Sequence, residues 1–222
     1  MKKFELTSET KINIFGKKLF RIKALISFAD VEAGETGGWV EKEGNVNQSG
    51  DAWVSVNAEV SGNAKVSGNA KVSGNAWVSG NAEVSGNAKV SGDAWVSGNA
   101  KVSGNAKVSG NAKVSVNAKV YGDTKVYGDT WVSGDAWVYG NAKVYGNAEV
   151  YGNADYTTIH GFGTQFRTTT FFRCKDKKVR VACGCFFGTI PEFREQVKNT
   201  RKGKIAEEYL MIADLMEKHF EK

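Results

Sequence analysis

The sequence predicts a mainly β fold in which the chain coils as a parallel β-helix, with a β cap in front and a small α+β region behind. Two observations carry this. Valine recurs every six residues from Val54 through Val150, 17 times in succession. Between the valines the chain reads V-[S/Y]-G-[N/D]-A-x with few exceptions, and a degenerate further hexad, QSGDAW, opens at Gln48. In A-x-V-[S/Y] the order is small apolar, variable, apolar, polar, the alternation of a short strand with Ala and Val facing inward. Gly followed by Asn or Asp makes the corner. Gly enters left-handed backbone space freely, and Asn and Asp tolerate it better than other residues. Each strand then pairs in parallel with its equivalent one coil later, about 4.8 Å away. Weaker hexads run further back, with Gly38, Gly44 and Gly50 six apart and Val40, Val46 and Ala52 likewise.

These residues resemble the hexapeptide-repeat left-handed β-helix, whose pattern has an aliphatic residue first and a small one fifth. Val and Ala fill those places over about 120 residues. The resemblance implies a left-handed helix of three hexads per coil, hence about six coils and a rod of roughly 29 Å. A Val/Ala interior is too narrow to hold a ligand. Val56 and Val116 replace the corner Gly, and Thr124 and Thr130 replace the inward Ala. These read as local adjustments.

The chain divides into an N-terminal β cap over 1–35, the repeat β-helix over 36–155 and a C-terminal region over 156–222. A parallel stack leaves an unpaired strand edge at each end, so solenoids need caps. In the first cap, Ile12-Asn13-Ile14-Phe15, Gly16-Lys17-Lys18 and Leu19-Phe20-Arg21-Ile22 predict a hairpin. Charge marks the last boundary: 48–155 holds nine Lys and nine acids, whereas 156–222 holds 13 basic and eight acidic residues. Within that region 168–174 and 179–187 predict strands around Lys175-Asp176-Lys177-Lys178. Thr189-Ile190-Pro191-Glu192 predicts a capping box opening a helix to about Asn199. Gly203 breaks it. A second helix carries Ile205, Tyr209, Ile212, Met216 and Phe220 on one stripe, expected to pack against the hairpin. The segment KALISFADVEAGETGGWVEKEG and the tail phrase VACGCFFGTIPEF look like those of phage and prophage relatives.

Composition and motifs restrict the chemistry. The chain has a net charge of +6, 41% hydrophobic residues and a mean hydropathy of −0.37, enough apolar matter for a core. No run of about 18 apolar residues is present, and MKKFELTSETK has no apolar signal core. A cytoplasmic product is expected, in the host cytoplasm if phage-encoded, with no membrane partner. Many relatives of this fold are acyltransferases using a histidine base. Here the histidines are His160 and His219, both outside the repeat, and no loop interrupts the hexads, so His160 is the only candidate base. Cys174, Cys183 and Cys185 have the spacing C-x₈-C-x-C, which suits neither a four-ligand zinc site nor a disulfide across the hairpin. They are expected to be reduced, some buried beside Phe186 and Phe187. No phosphate-binding loop, metal or cofactor is predicted.

The outward x position distinguishes the faces if a coil is 18 residues. One face reads Trp53, Lys71, Lys89, Lys107, Lys125, Lys143, a ladder of five lysines. Neighbouring like charges repel by up to about 1 kcal/mol in water, which an anionic partner would relieve. Tyr127 and Tyr145 lie outward on the same strands. A second face reads Glu59, Trp77, Trp95, Lys113, Trp131, Glu149, and Trp77, Trp95 and Trp131 predict an oligomer interface. The third reads Lys65, Glu83, Lys101, Lys119, Trp137, Asp155. Arg173, Lys175, Lys177, Lys178 and Arg180 form a further basic patch. The expected function is a non-enzymatic binding or structural protein. It is expected to be a homotrimer, an accessory factor of a phage or prophage that engages a host acidic protein, nucleic acid or nucleotide, with counter-defence as one use. The alternative is an acyltransferase-like enzyme.

Overall fold

The computed structural model describes residues 2–221. Residues 36–155 form a parallel β-solenoid of about six turns whose rungs are two residues long, the x and Val of each hexad. Successive rungs pair 18 residues apart: Lys71 with Lys89, Trp77 with Trp95, Lys65 with Glu83. The coil is therefore three-sided. One face is a six-stranded sheet running from Trp53 to Lys143, another a five-stranded sheet from Lys65 to Trp137. The remaining face joins the N-terminal strands to make nine. Each repeat Val, and each inward Ala or Thr as far as Ala148, is fully buried, so the column is filled by small side chains, whereas the last predicted hexad leaves the coil, with Asn153–Asp155 turning as a 3-10 helix that exposes Ala154 and takes Asp155 off the third face. Thr124 and Thr130 take the Ala position without a polar penalty, because their hydroxyls donate to the Tyr121 and Tyr127 carbonyls at 2.7 Å.

Corners keep their left-handed backbone even without glycine. Gly74 and Gly98 lie at φ +71° and +66°, and a Cβ on either would come within 2.9 Å of the next coil's backbone. Val56 and Val116 hold the same conformation at φ +60° and +61°, with their side chains in solvent. They are not adjustments of the corner; they accept its strain. Left-handed backbone costs an L-residue about 1–2 kcal/mol, and glycine adds roughly 0.5–1 kcal/mol of unfolded-state entropy. Val116→Gly is expected to stabilise the chain by about 0.5–1 kcal/mol. A urea midpoint that fell would show that the exposed isopropyl group has a partner.

Hydrogen bonds give the solenoid a direction. Each rung donates its N–H groups to the following coil, as in Lys71 N to the Ala88 carbonyl at 2.9 Å. The front end therefore presents unpaired carbonyls and the back end unpaired N–H groups. Donors close the front. The buried Lys3 ammonium donates to the Gly50 and Ala52 carbonyls at 3.1 and 2.7 Å. The Asn45 amide donates to those of Gly62 and Ala64 at 3.2 and 2.9 Å. Acceptors close the back. Asn153 Oδ1 accepts from Trp137 N at 2.9 Å and Thr170 Oγ1 from Lys143 N at 3.1 Å. Asp155 Oδ2 accepts from Tyr151 N and Gly152 N, both at 3.0 Å.

The N-terminal cap is an antiparallel hairpin of β1 (Phe4–Ile12) and β2 (Lys18–Ala24), followed by β3 (Thr36–Val40), which pairs with the rung Glu59–Val60. Ile14 and Phe15, expected in the strand, lie in the turn. Asn13 Oδ1 accepts from Phe15 N and Lys17 N at 3.0 Å and ends the strand early. Behind the solenoid β4 (Tyr156–Phe162), β5 (Arg167–Arg173), β6 (Val179–Cys183) and β7 (Phe186–Thr189) form an antiparallel sheet. The sequence reading lacked β4. It also merged β6 and β7, which Gly184 at φ +63° turns apart. Alternation gives this sheet two cores. Phe172, Cys174 and Ala182 join the solenoid interior. Phe171 and Val181 pack with α1 (Ile190–Thr200) and α2 (Gly203–Phe220). The predicted capping box is present: Thr189 Oγ1 accepts from Glu192 N, and the Glu192 carboxylate accepts from Thr189 N. That bond holds the Glu192 carboxyl below its usual range. Tyr209, Ile212, Met216 and Phe220 are buried as the stripe requires.

Candidate anion-binding face

The lysine face is flat because its rungs are in strict register. Lys71, Lys89, Lys107, Lys125 and Lys143 are consecutive partners down one sheet. The cap alters the front of this ladder in two ways that the repeat does not foretell. Trp53 is buried, with Phe4 and Phe28 edge-on to its indole at 6.2 and 5.5 Å. Lys71 forms an ion pair with Asp30. The Lys71 hydrogen bond is the main cause holding the Asp30 carboxyl below its usual range, and Lys89 adds to it. Among the described residues Lys89, Lys107, Lys125 and Lys143 have no acidic partner within 4.0 Å. The face thus presents four uncompensated ammonium groups in a line.

A second ladder runs beside them. Tyr127 and Tyr145 stack at 4.7 Å with their planes 9° apart, and Phe187 of β7 extends the column at 4.5 Å from Tyr145. Burial raises both phenols, Tyr145 to about 12, so they stay neutral. The column covers Tyr145 between its neighbours, while Tyr127 at its end has one stacked partner and is 37% exposed.

The five residues of the basic hairpin do not act as one patch. Arg173 is structural: Nη2 donates to the Phe220 carbonyl at 2.7 Å, and Nε lies 3.6 Å from Asp155. Arg180 pairs with Asp176 at 2.6 Å. The Lys175, Lys177 and Lys178 side chains have no acidic partner within 4.0 Å among the described residues. Lys175 N donates to the Asn147 carbonyl, which fixes this turn at the corner past the Lys143 rung and out of line with the ladder.

On the tryptophan face, Trp77 and Trp95 stack at 4.8 Å, 12° apart. The N-terminal hairpin leans over them. Lys11 and Arg21 bracket Trp39 at 4.6 and 4.8 Å from its ring, Lys11 pairs with Glu59 at 2.8 Å, and Phe15 meets Trp77 and Trp95 edge-on at 5.3 and 6.3 Å. Trp131 is 43% exposed, with Lys113 5.7 Å above its ring and Tyr151 beside it at 6.0 Å. This face therefore carries its own partial cover at the front and an open tryptophan at the back.

His160 lies on β4, exposed, with Nδ1 3.1 Å from Thr168 Oγ1, in a cleft shared with Lys143, Arg167 and Cys185. No sequence signal brings these together. The three cysteines are free; Cys174 is buried, and its thiol is pushed up to about 11 by desolvation. Among the described residues no group of three or more His, Cys, Asp or Glu is placed to hold a metal ion. Nor is any helix among them long and apolar enough to cross a membrane.

Residues 64–80 match a family model described as the YdcK beta solenoid repeat. This is a repeat β-solenoid protein. No curated protein matches the chain. The matched segment lies in the front half of the lysine ladder and contains Lys65, Lys71 and Trp77, so it describes the rungs of this solenoid and neither of its caps.

Proposed function

We propose that this solenoid is a non-enzymatic capture protein, an accessory factor of phage or prophage origin acting in the host cytoplasm, whose lysine face engages an anionic host partner. One observation carries the reading: Lys89, Lys107, Lys125 and Lys143 stand in register on a rigid sheet with no acid against them. A row of like charges that the fold itself leaves uncompensated is a standing preference for an anion. The adjacent Tyr127 favours a nucleic acid or nucleotide over an acidic protein, because a base has a flat face to offer it. Counter-defence is a use consistent with capture without turnover. We further read the apolar strip of Trp131, Tyr151 and the hairpin tip, with Ile14 74% and Phe15 56% exposed, as the contact of a homotrimer. A monomer by light scattering at micromolar concentration would remove that part.

The test uses a fluorescent single-stranded oligonucleotide and polyglutamate as probes. The oligonucleotide is expected to bind with a log–log salt slope of about −3, as four phosphate contacts require. Lys89→Glu, Lys107→Glu and Lys125→Glu together are expected to abolish binding. Binding of polyglutamate alone would assign the face to an acidic protein. Binding of neither at low salt overturns the reading. An acyltransferase would use His160, which lines an open cleft; turnover of an acyl donor that His160→Ala abolished would replace capture by catalysis.

A further inference from the structure

The lysine ladder does not run off the end of the molecule. The β4–β5 hairpin crosses its last rung, fastened by the Lys143 N to Thr170 Oγ1 bond, and forms a wall. Between wall and ladder lies a cleft lined by Lys143, His160, Phe166, Arg167, Thr168 and Cys185, with no acidic side chain on it. We propose that this cleft binds a phosphomonoester attached to a flat ring, as in a nucleoside monophosphate or the terminal nucleotide of a strand. The inference rests on reading the ladder as anion-binding only through Lys143, which belongs to both.

The chemistry is specific. Arg167 lies at the seam between this cleft and the one on the helix side, with Nη1 packed on Gly184 and Nη2 donating to Gln165 Oε1, and its remaining N–H groups are the donors a phosphate would meet. Lys143 supplies a second, compact charge. His160 has Nδ1 engaged with the Thr168 hydroxyl, which leaves Nε2 free for a third oxygen. Phe166 provides the flat contact. It sits at the hairpin tip at φ +46°, a conformation costly for an aromatic residue, and its ring is 65% exposed. An aromatic ring displayed on strained backbone beside two permanent cations has no role in the core; strain of this kind collects where a ligand is held.

Cys185 reports on the cleft. Its thiol is exposed there, whereas Cys174 is buried. The rate of Cys185 alkylation by iodoacetamide, followed by peptide mass spectrometry on the full chain, measures occupancy. Adenosine monophosphate is expected to slow it about fivefold or more at millimolar concentration, inorganic phosphate less, and adenosine not at all. Arg167→Gln and Lys143→Gln should each remove the protection, read in each variant as the ratio of its own rates with and without adenosine monophosphate, and should leave the circular dichroism unchanged. Phe166→Ala should remove the advantage of the nucleotide over phosphate; equal protection by phosphate in the native chain would reduce the ligand to the phosphate alone and overturn the ring contact. No protection by either up to about 5 mM, or equal protection by adenosine, overturns the site. The triple variant Lys89→Glu, Lys107→Glu, Lys125→Glu should keep the protection. Loss of oligonucleotide binding with protection intact would separate failure of one reading from failure of the other.

Discussion

Phe172→Ala is expected to lower stability by about 3–5 kcal/mol and to open the back end of the solenoid. Phe172 is fully buried, and its ring lies 6.1 Å from Tyr145 and 6.3 Å from Phe187, so it is the side chain that seats the C-terminal sheet on the last coil. Truncation leaves a cavity at the seam where Thr170 covers the Lys143 N–H. The second effect follows from the first, because an uncovered parallel edge is a template for another strand. Urea denaturation should show the loss in midpoint, and light scattering should show association beyond the assembly the native chain forms. Two controls locate the effect. Phe187→Ala, at a ring 40% exposed, should cost far less. Phe171→Ala, in the helix-facing core, should destabilise comparably without promoting association. Equal behaviour of Phe172→Ala and Phe187→Ala would show that this sheet is an appendage and not a cap.

At the other end Lys3→Met is expected to cost about 1–3 kcal/mol, since the buried Ala52 carbonyl loses its donor. The pH dependence identifies the cause. Burial pushes the Lys3 ammonium down to about 8 from 10.5, with Asp51 opposing. The folded chain therefore releases this proton more readily than the unfolded chain. Between about pH 8 and 10.5 the unfolded state holds more protons, so the unfolding free energy rises with pH across that window. A neutral amine still donates to both carbonyls, which keeps the cap intact as the charge is lost. The raised Cys174 thiol and Tyr145 phenol oppose this rise from about pH 9, so the stability of the native chain relative to Lys3→Met is what should rise from pH 7 to 10.5. A difference between the two chains that falls with pH would show that Lys3 is not desolvated.

Most of the solenoid was legible because each hexad repeats the same local instruction: alternate, then turn left-handed. The 18-residue register came from the resemblance to the three-hexad β-helix, since a hexad spacing by itself leaves the number of sides open, and the structure has that register down to the last rungs, past which Asp155 turns off its face. The caps were harder, for physical reasons. Asn13 ends β1 through its own side chain, so Ile14 and Phe15, good strand residues by type, became a turn that meets Trp77 and Trp95. Phe171 and Phe172 are the same residue type side by side, and only pleating sends them into different cores. The Asp30 to Lys71 pair spans 41 residues, and the loop that delivers it has no pattern. The cleft at Lys143, His160 and Arg167 draws on three segments at once. Arg173 and Arg180 looked like Lys175, Lys177 and Lys178 as charges, yet their forks had been taken by the Phe220 carbonyl and Asp176.

The register of one coil per 18 residues also limits how this molecule can change in length. Duplicating a whole turn would add about 4.8 Å and one more charge to the same row, with both closing ends untouched. Gaining or losing a single six-residue unit would instead rotate everything beyond it by one side. The lysines downstream would then continue onto a different flank, and the back cap would meet the wrong one. Growth by triplets of hexads is silent to the architecture, while growth by one is a rewiring.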